Sequence, residues 1–155
     1  MKKFRYSMES ILQIKLKLEE QMKIAYSIAR RNLTKEEEKL QMLRQRKLSY
    51  ENELRRLSSD RLDILLLNQC RQAIEIIKEQ ILRQEAVVRN AQHRLEVARI
   101  RLNEAMINRK THQKLKEKEF EEYMLEYEAE ERKVVDELNS YKYSGRGPIG
   151  IKEDE

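Results

Sequence analysis

Apolar residues recur along most of this chain at steps of three and four, with charged residues between them. The clearest run is Ile74, Ile77, Ile81, Gln84, Val88, Ala91, Leu95, Ala98, Leu102 and Ala105, where threes and fours alternate without error. Such a step keeps one narrow stripe on a helix face and winds two helices left-handed about each other. An earlier segment carries a second stripe. Ile11, Ile14, Leu18, Met22, Ala25, Ala29, Leu33, Glu36 and Leu40 follow an eleven-residue spacing, and Leu40, Leu43, Lys47, Tyr50, Leu54 and Leu57 a seven-residue one. An eleven-residue period gives straight or slightly right-handed winding. Past Arg109 the later stripe loosens through His112, then resumes at Phe120, Tyr123 or Met124, Tyr127, Glu131, Val134 and Leu138. Each segment is thus heptad-like towards the middle of the chain and eleven-like towards its terminus, as matched antiparallel helices would be. The pattern predicts an all-α fold, a long antiparallel two-helix coiled coil.

The turn is marked by Leu57-Ser58-Ser59-Asp60, where three good helix-capping residues precede RLDILLLNQ. Four apolar residues in a row, Ile64 to Leu67, suit a cap over the hairpin tip better than a one-faced helix, so a short helical element or ordered bend is expected over residues 60–68. The predicted organisation is a first long helix within 1–57, entered near Ser7 and Glu9; a tip over 58–69; a second long helix over 70–143; and a disordered tail over 144–155. At 1.5 Å per residue the two helices would be roughly 80 and 105 Å long. The second would overhang the first, leaving Tyr127, Val134, Val135, Leu138 and Tyr141 as an exposed apolar strip, a usual mark of an interaction site.

Composition supports long helices. Charged residues make up 39% of the 155 residues, and the three glycines and one proline all lie in the tail SGRGPIGIKEDE. Net charge is +7 over residues 1–57, +5 over 58–116 and −7 over 117–155. An antiparallel hairpin sets the acidic run EKEFEEYMLEYEAEE beside the basic first helix, whereas a parallel self-dimer would set like beside like. Each exposed pair contributes only about 0–1 kcal/mol, but together the signs select orientation. The basic opening is not an export signal, because Lys15, Lys17, Glu19 and Glu20 interrupt its apolar run. No stretch approaches the ~20 apolar residues of a membrane span, and the single Cys70 fits a reducing, cytoplasmic setting.

Catalysis has almost no foothold. His93 and His112 lie nineteen residues apart on one helix, away from Cys70, and no metal-ligand spacing or Gly-rich phosphate loop is present. No enzyme activity, metal or cofactor is expected. The basic residues at 30–32, 44–47, 83, 89, 94, 99 and 101 alternate with acids and read as solvated coiled-coil faces. They offer no basic-aromatic platform for nucleic acid, though the basic excess would steer the chain toward acidic surfaces. Two alternatives come from other classes. A basic nucleic-acid-binding rod would lose affinity steeply with salt. A chaperone of the prefoldin sort uses similar arms, but joins them through strands that RLDILLLNQ does not suggest.

The stretch FRYSMESILQIKLKLEEQ, with its aromatic-x-aromatic entry and Y-S-x-E-x-I-L-x-I-K run, resembles the N-terminal signature of the flagellar FliJ proteins of the bacterial type III export apparatus. EEKLQMLRQRKLSYENEL at 37–54 and NQCRQAIEIIKEQILRQE at 68–85 agree with it, and the resemblance covers residues 2–143. It implies a stalk-like hairpin at the flagellar base, on the inner face of the cell membrane. The paired termini would sit in the hexameric ring of the export ATPase, and the tip side would contact the cytoplasmic domain of the export gate protein. Export chaperones are further implied partners. Carried onto this chain, ring docking falls on Phe4, Tyr6, Ile11, Lys15, Tyr127, Val134 and Leu138, and gate contact on Leu43, Tyr50, Ala73, Ile77, Gln80 and Gln84. Lys39, Arg46 and Ala73 stand where other members can carry polar or aromatic residues.

Overall fold

A computed structural model describes residues 2–59 and 63–145. Two helices, α1 (Glu9–Ser59) and α2 (Ile64–Gly145), pack against each other as an antiparallel two-helix coiled coil, with no strand among the described residues. They contribute to two compact units, one of Met1–Leu16 with Asn108–Glu155, the other of Lys17–Ile107.

The ends of the helices follow from local polar chemistry. Asp63 caps α2: its Oδ1 accepts from the backbone N–H groups of Leu65 at 3.1 Å and Leu66 at 3.4 Å, and its carbonyl accepts from Leu67 N at 3.0 Å. Ser58 and Ser59, expected to begin the next element, instead close α1. Their hydroxyls donate back to the carbonyls of Leu54 at 2.7 Å and Arg56 at 3.0 Å, in the last turns of that helix. Residues 64–68, expected in a separate tip element, are therefore the first turn of α2, which starts before the predicted Asn68–Arg71. Residues 60–62 lie outside the described residues, as does the tail beyond Gly145. Ser144 and Gly145, assigned to that tail, are helical.

In the unit of Lys17–Ile107, α2 buries the predicted stripe. Every residue of the series from Ile74 to Ala105 is buried or half-buried, and Leu67 and Cys70 extend it toward the tip. Opposite it, α1 presents Glu19, Met22, Tyr26, Ala29, Leu33, Glu36, Leu40, Leu43 and Lys47, spaced by alternating threes and fours. Of the eleven-residue series expected before Leu40, Met22, Ala29, Leu33, Glu36 and Leu40 lie in this seam, whereas Ile11, Ile14, Leu18 and Ala25 are exposed. The reason lies in the partner. The α2 stripe repeats every seven residues, and a helix wound against it must keep the same period to stay in contact. Glu19 is only 4% exposed as a result, with Lys23 Nζ 3.6 Å from its carboxylate. The pairing is fixed by Gln84, whose Nε2 donates to the Glu36 carbonyl at 3.0 Å and carboxylate at 2.6 Å, and by an Arg44–Glu85 ion pair at 3.5 Å.

In the other unit the seam is different material. Leu12 and Tyr6 are buried and Lys15 and Leu16 half-buried, with Arg109, His112, Gln113, Lys116, Tyr123, Met124 and Tyr127 half-buried along α2. Both His112 and Gln113 are partly covered, which fits a stripe that crosses the helix there, from the Ala105 register to that of Phe120 and Tyr127. Beyond Tyr127 every residue from Glu128 to Ser144 is exposed.

Candidate docking surfaces

The first candidate surface is built on the N-terminal segment and the end of α2. Residues 2–8 precede the helix and lay Phe4 against α2: its ring lies 5.2 Å from Phe120, edge-on at 73°, and 5.3 Å from Tyr123. Tyr123 in turn lies 6.2 Å from Tyr127. Offset and edge-to-face pairs of this kind each contribute about 0.5–1.5 kcal/mol beyond area burial. Tyr123 Oη donates to the Lys2 carbonyl at 2.9 Å, tying the segment down. Lys116 Nζ sits 2.8 Å from Glu9 Oε2, and Gln13 donates to the other carboxylate oxygen at 3.1 Å. These two contacts, Lys116 first, hold the Glu9 carboxyl below its ordinary range. Lys2, Lys3 and Arg5 line a groove with Glu119, Glu122 and Glu126. The acidic run therefore faces mainly the basic residues that precede α1.

Of the residues assigned to ring docking, Phe4 and Tyr6 are thus part of the fold: Phe4 is half-buried and Tyr6 buried. Lys15 is half-buried, as expected of a lysine whose stem lies along a seam. Ile11 is 39% exposed. Tyr127 is half-buried, with the Glu131 carboxylate beside its hydroxyl raising it above the ordinary tyrosine range. Val134 and Leu138 are 55% and 56% exposed, and Val135, Tyr141 and Tyr143 are exposed with them.

The second candidate surface lies wholly in the unit of Lys17–Ile107. Leu43 and Ala73 are half-buried, Tyr50 and Gln80 exposed, Ile77 buried, and Gln84 half-buried and bonded to Glu36. Their side of the hairpin can be read from heptad spacing. An open groove of about 730 Å³ is lined by Ala25, Ala29, Asn32 and Glu36 of α1 and by Val87, Ala91 and Arg94 of α2. Leu43 and Tyr50 stand seven and fourteen residues beyond Glu36, and Ala73 and Gln80 stand fourteen and seven before Val87. All four therefore fall on the same side as the groove. Lys39 and Arg46 flank them, seven and fourteen residues beyond Asn32. Ile77 and Gln84 lie beneath this face, in the seam.

Cys70 is buried and His93 exposed. Among the described residues no group of three or more His, Cys, Asp or Glu is placed to hold a metal ion, and no helix is long and apolar enough to cross a membrane. Glu19 and the Phe4–Phe120 contact were not picked out from the sequence. A seven-residue count from Leu12 would have found Glu19, but nothing in the sequence pairs Phe4 with Phe120.

Residues 4–148 match the flagellar FliJ protein family. The chain belongs to the FliJ family. Membership places it among the components of the flagellar type III export apparatus. No curated protein matches the chain significantly in sequence. Among solved structures it is similar to CT670 of Chlamydia trachomatis, described as a YscO homolog, with a TM-score of 0.59 and 21% identity over 92% of this chain and 96% of that one. At that identity the likeness concerns the fold, and the FliJ assignment rests on the family match.

Proposed function

We propose that this FliJ-family chain is a non-enzymatic coupling stalk that docks in the hexameric ring of the export ATPase and, nearer its tip, contacts the cytoplasmic domain of the export gate. The observation that carries the reading is the end of α2, where Val134, Leu138 and Tyr141 are exposed on a helix with no described residue covering it. A contiguous apolar strip on a preformed helix suits a protein groove. In this reading Tyr127, Val134 and Leu138 make the ring contact, with Ile11 and Lys15 beside the junction. Phe4 and Tyr6 act indirectly, by fixing the segment against α2. Leu43, Tyr50, Ala73 and Gln80 make the gate contact, and Ile77 and Gln84 set the helix spacing beneath it. Export chaperones are further partners, and the assembled protein sits at the cytoplasmic base of the flagellum, peripheral to the membrane. Coupling is mechanical or allosteric: a stiff, asymmetric two-helix element biases the ring's subunits unequally and links their hydrolysis cycle to the gate.

The test is a pull-down and ATPase assay with the purified export ATPase. The double variant Val134→Glu/Leu138→Glu is expected to lose ring binding and stimulation while keeping its helix content and its binding to the gate domain. Leu43→Glu with Tyr50→Glu should do the reverse. Undiminished ring binding by the first variant sinks the docking assignment.

A further inference from the structure

Along the sequence of the unit Lys17–Ile107 cations and acids alternate, but around the hairpin they do not. Two grooves flank the seam, one on each side. The first, of about 730 Å³, has Ile28, Asn32, Val87, Asn90 and Arg94 on its lips, and the second, of about 440 Å³, has Glu37, Arg44, Glu85 and Arg89. Seven-residue steps along each helix carry both sides beyond the grooves. From Ile28 they reach Lys35, from Asn32 they reach Lys39 and Arg46, from Asn90 Arg83, and from Arg94 Arg101.

Over residues 32–49 and 73–101 the first side therefore holds six cations, with no acid outside the seam. Glu36, in the seam, is already engaged by Gln84 and Lys39. Lys35, Arg46, Arg83, Arg94 and Arg101 are exposed and make no ion pair with a described residue. Over the same residues the second side holds four cations and four acids, and pairs Arg44 with Glu85, Lys78 with Glu75 and Arg99 with Glu96. Pairs of that kind support the hairpin, whereas like charges on one side repel one another and weaken it. The unpaired cations are not explained by the fold.

We propose that the first side receives an acidic amphipathic helix of a protein partner, its apolar stripe laid along the groove and its flanking carboxylates set against the six cations. The apolar residues favour this occupant. Ile28, Met42, Ile76 and Val87 are exposed among the cations, and a helix stripe covers them while flanking charges select the partner. A phosphate backbone would satisfy the cations and leave the apolar residues in water. Leu43, Tyr50, Ala73 and Gln80 lie on this same side. The proposal rests on the gate assignment for which protein supplies the helix, and not for the chemistry of the face.

Two probes keep these apart. The first is a synthetic helix of about three heptads, with leucine at a and d and glutamate at e and g, titrated into the full chain. It is expected to bind. Arg46→Glu/Arg83→Glu should weaken it at least about tenfold, with helix content by circular dichroism unchanged. Arg71→Glu/Arg89→Glu makes the same change of charge on the second side and should weaken it less than about threefold. A helix with lysine at e and g should not bind. A glutamate helix that fails to bind overturns the proposal, as do equal losses in the two double variants. So does duplex DNA that binds as tightly and depends on Arg46 and Arg83. The second probe is the purified gate domain. If Leu43→Glu/Tyr50→Glu abolishes its binding and Arg46→Glu/Arg83→Glu does not weaken it, the gate assignment stands and the proposal falls. If Leu43→Glu/Tyr50→Glu leaves its binding intact, the gate assignment alone falls, and the synthetic helix still decides the proposal.

Discussion

Two stretches of α2 carry the same spacing and have opposite environments. From Ile74 to Ala105 the stripe is covered, Ile77 being 4% exposed; from Val134 to Tyr141 it is open, Leu138 being 56% exposed. Both are helical, and both are set among charged residues. The difference is that α1 lies opposite the first, whereas no described residue covers the second. Apolar spacing therefore specifies a face that can pair. Burial, and the stabilisation that goes with it, arises only where another helix is within reach.

The sharpest way to break this comparison is to truncate one residue on each stripe. Ile77→Ala is expected to lower stability by about 2–5 kcal/mol, the usual range for a buried aliphatic residue. Leu138→Ala should change it by no more than about 0.5 kcal/mol. Urea unfolding followed by circular dichroism reads both, and similar losses would mean that the free end of α2 is covered in the isolated chain.

A smaller effect tests what fixes the covered stretch. Gln84 is the one polar residue of the Ile74–Ala105 stripe, and its amide reaches both the carbonyl and the carboxylate of Glu36. Gln84→Ala should cost about 1 kcal/mol, the net contribution of a typical hydrogen bond. A leucine at this position would restore apolar contact but not the bond.

The smallest expected effect is on acid stability. Gln84, with a smaller contribution from Lys39, holds Glu36 below its ordinary 4.5, and Lys116 and Gln13 do the same for Glu9. A carboxylate with a lowered folded-state value contributes its stabilisation fully above the unfolded-state value. It loses that contribution as pH falls from about 4.5 through the lowered one. Glu36→Gln should therefore make the loss of stability below pH 4.5 shallower, measured as urea midpoints across an acid series.

The two helices differ in how far their packing could be read beforehand. The α2 stripe was legible residue by residue, because between Ile74 and Ala105 only one set of apolar positions keeps a helical spacing. Early α1 offers two sets. Ile11, Ile14 and Leu18 form one, and Leu12 and Leu16 another, and the first is the more apolar. The second is the one buried, since only it leads into the seven-residue period that α2 imposes, even at the expense of covering Glu19. The tip shows the same limit. Ser58, Ser59 and Asp63 are all good capping residues, but the two serines bond back to carbonyls in the last turns of α1 while Asp63 caps α2. Of the candidate surfaces, the open strip on α2 was legible from the unequal helix lengths. The coverage of Phe4 and Tyr6 was not, because an aromatic residue before a helix is equally suited to a partner and to its own chain.

By itself, then, the sequence determined two long helices, their antiparallel pairing and the α2 stripe, all of which depend on periodicity and charge summed over many residues. Which stripe of α1 faces inward, which serine or aspartate ends which helix, and whether Phe4 and Tyr6 are free or packed were decided only in the tertiary structure. These are choices between local alternatives of similar intrinsic energy. They are settled by what stands opposite, and no single stretch of sequence carries that information.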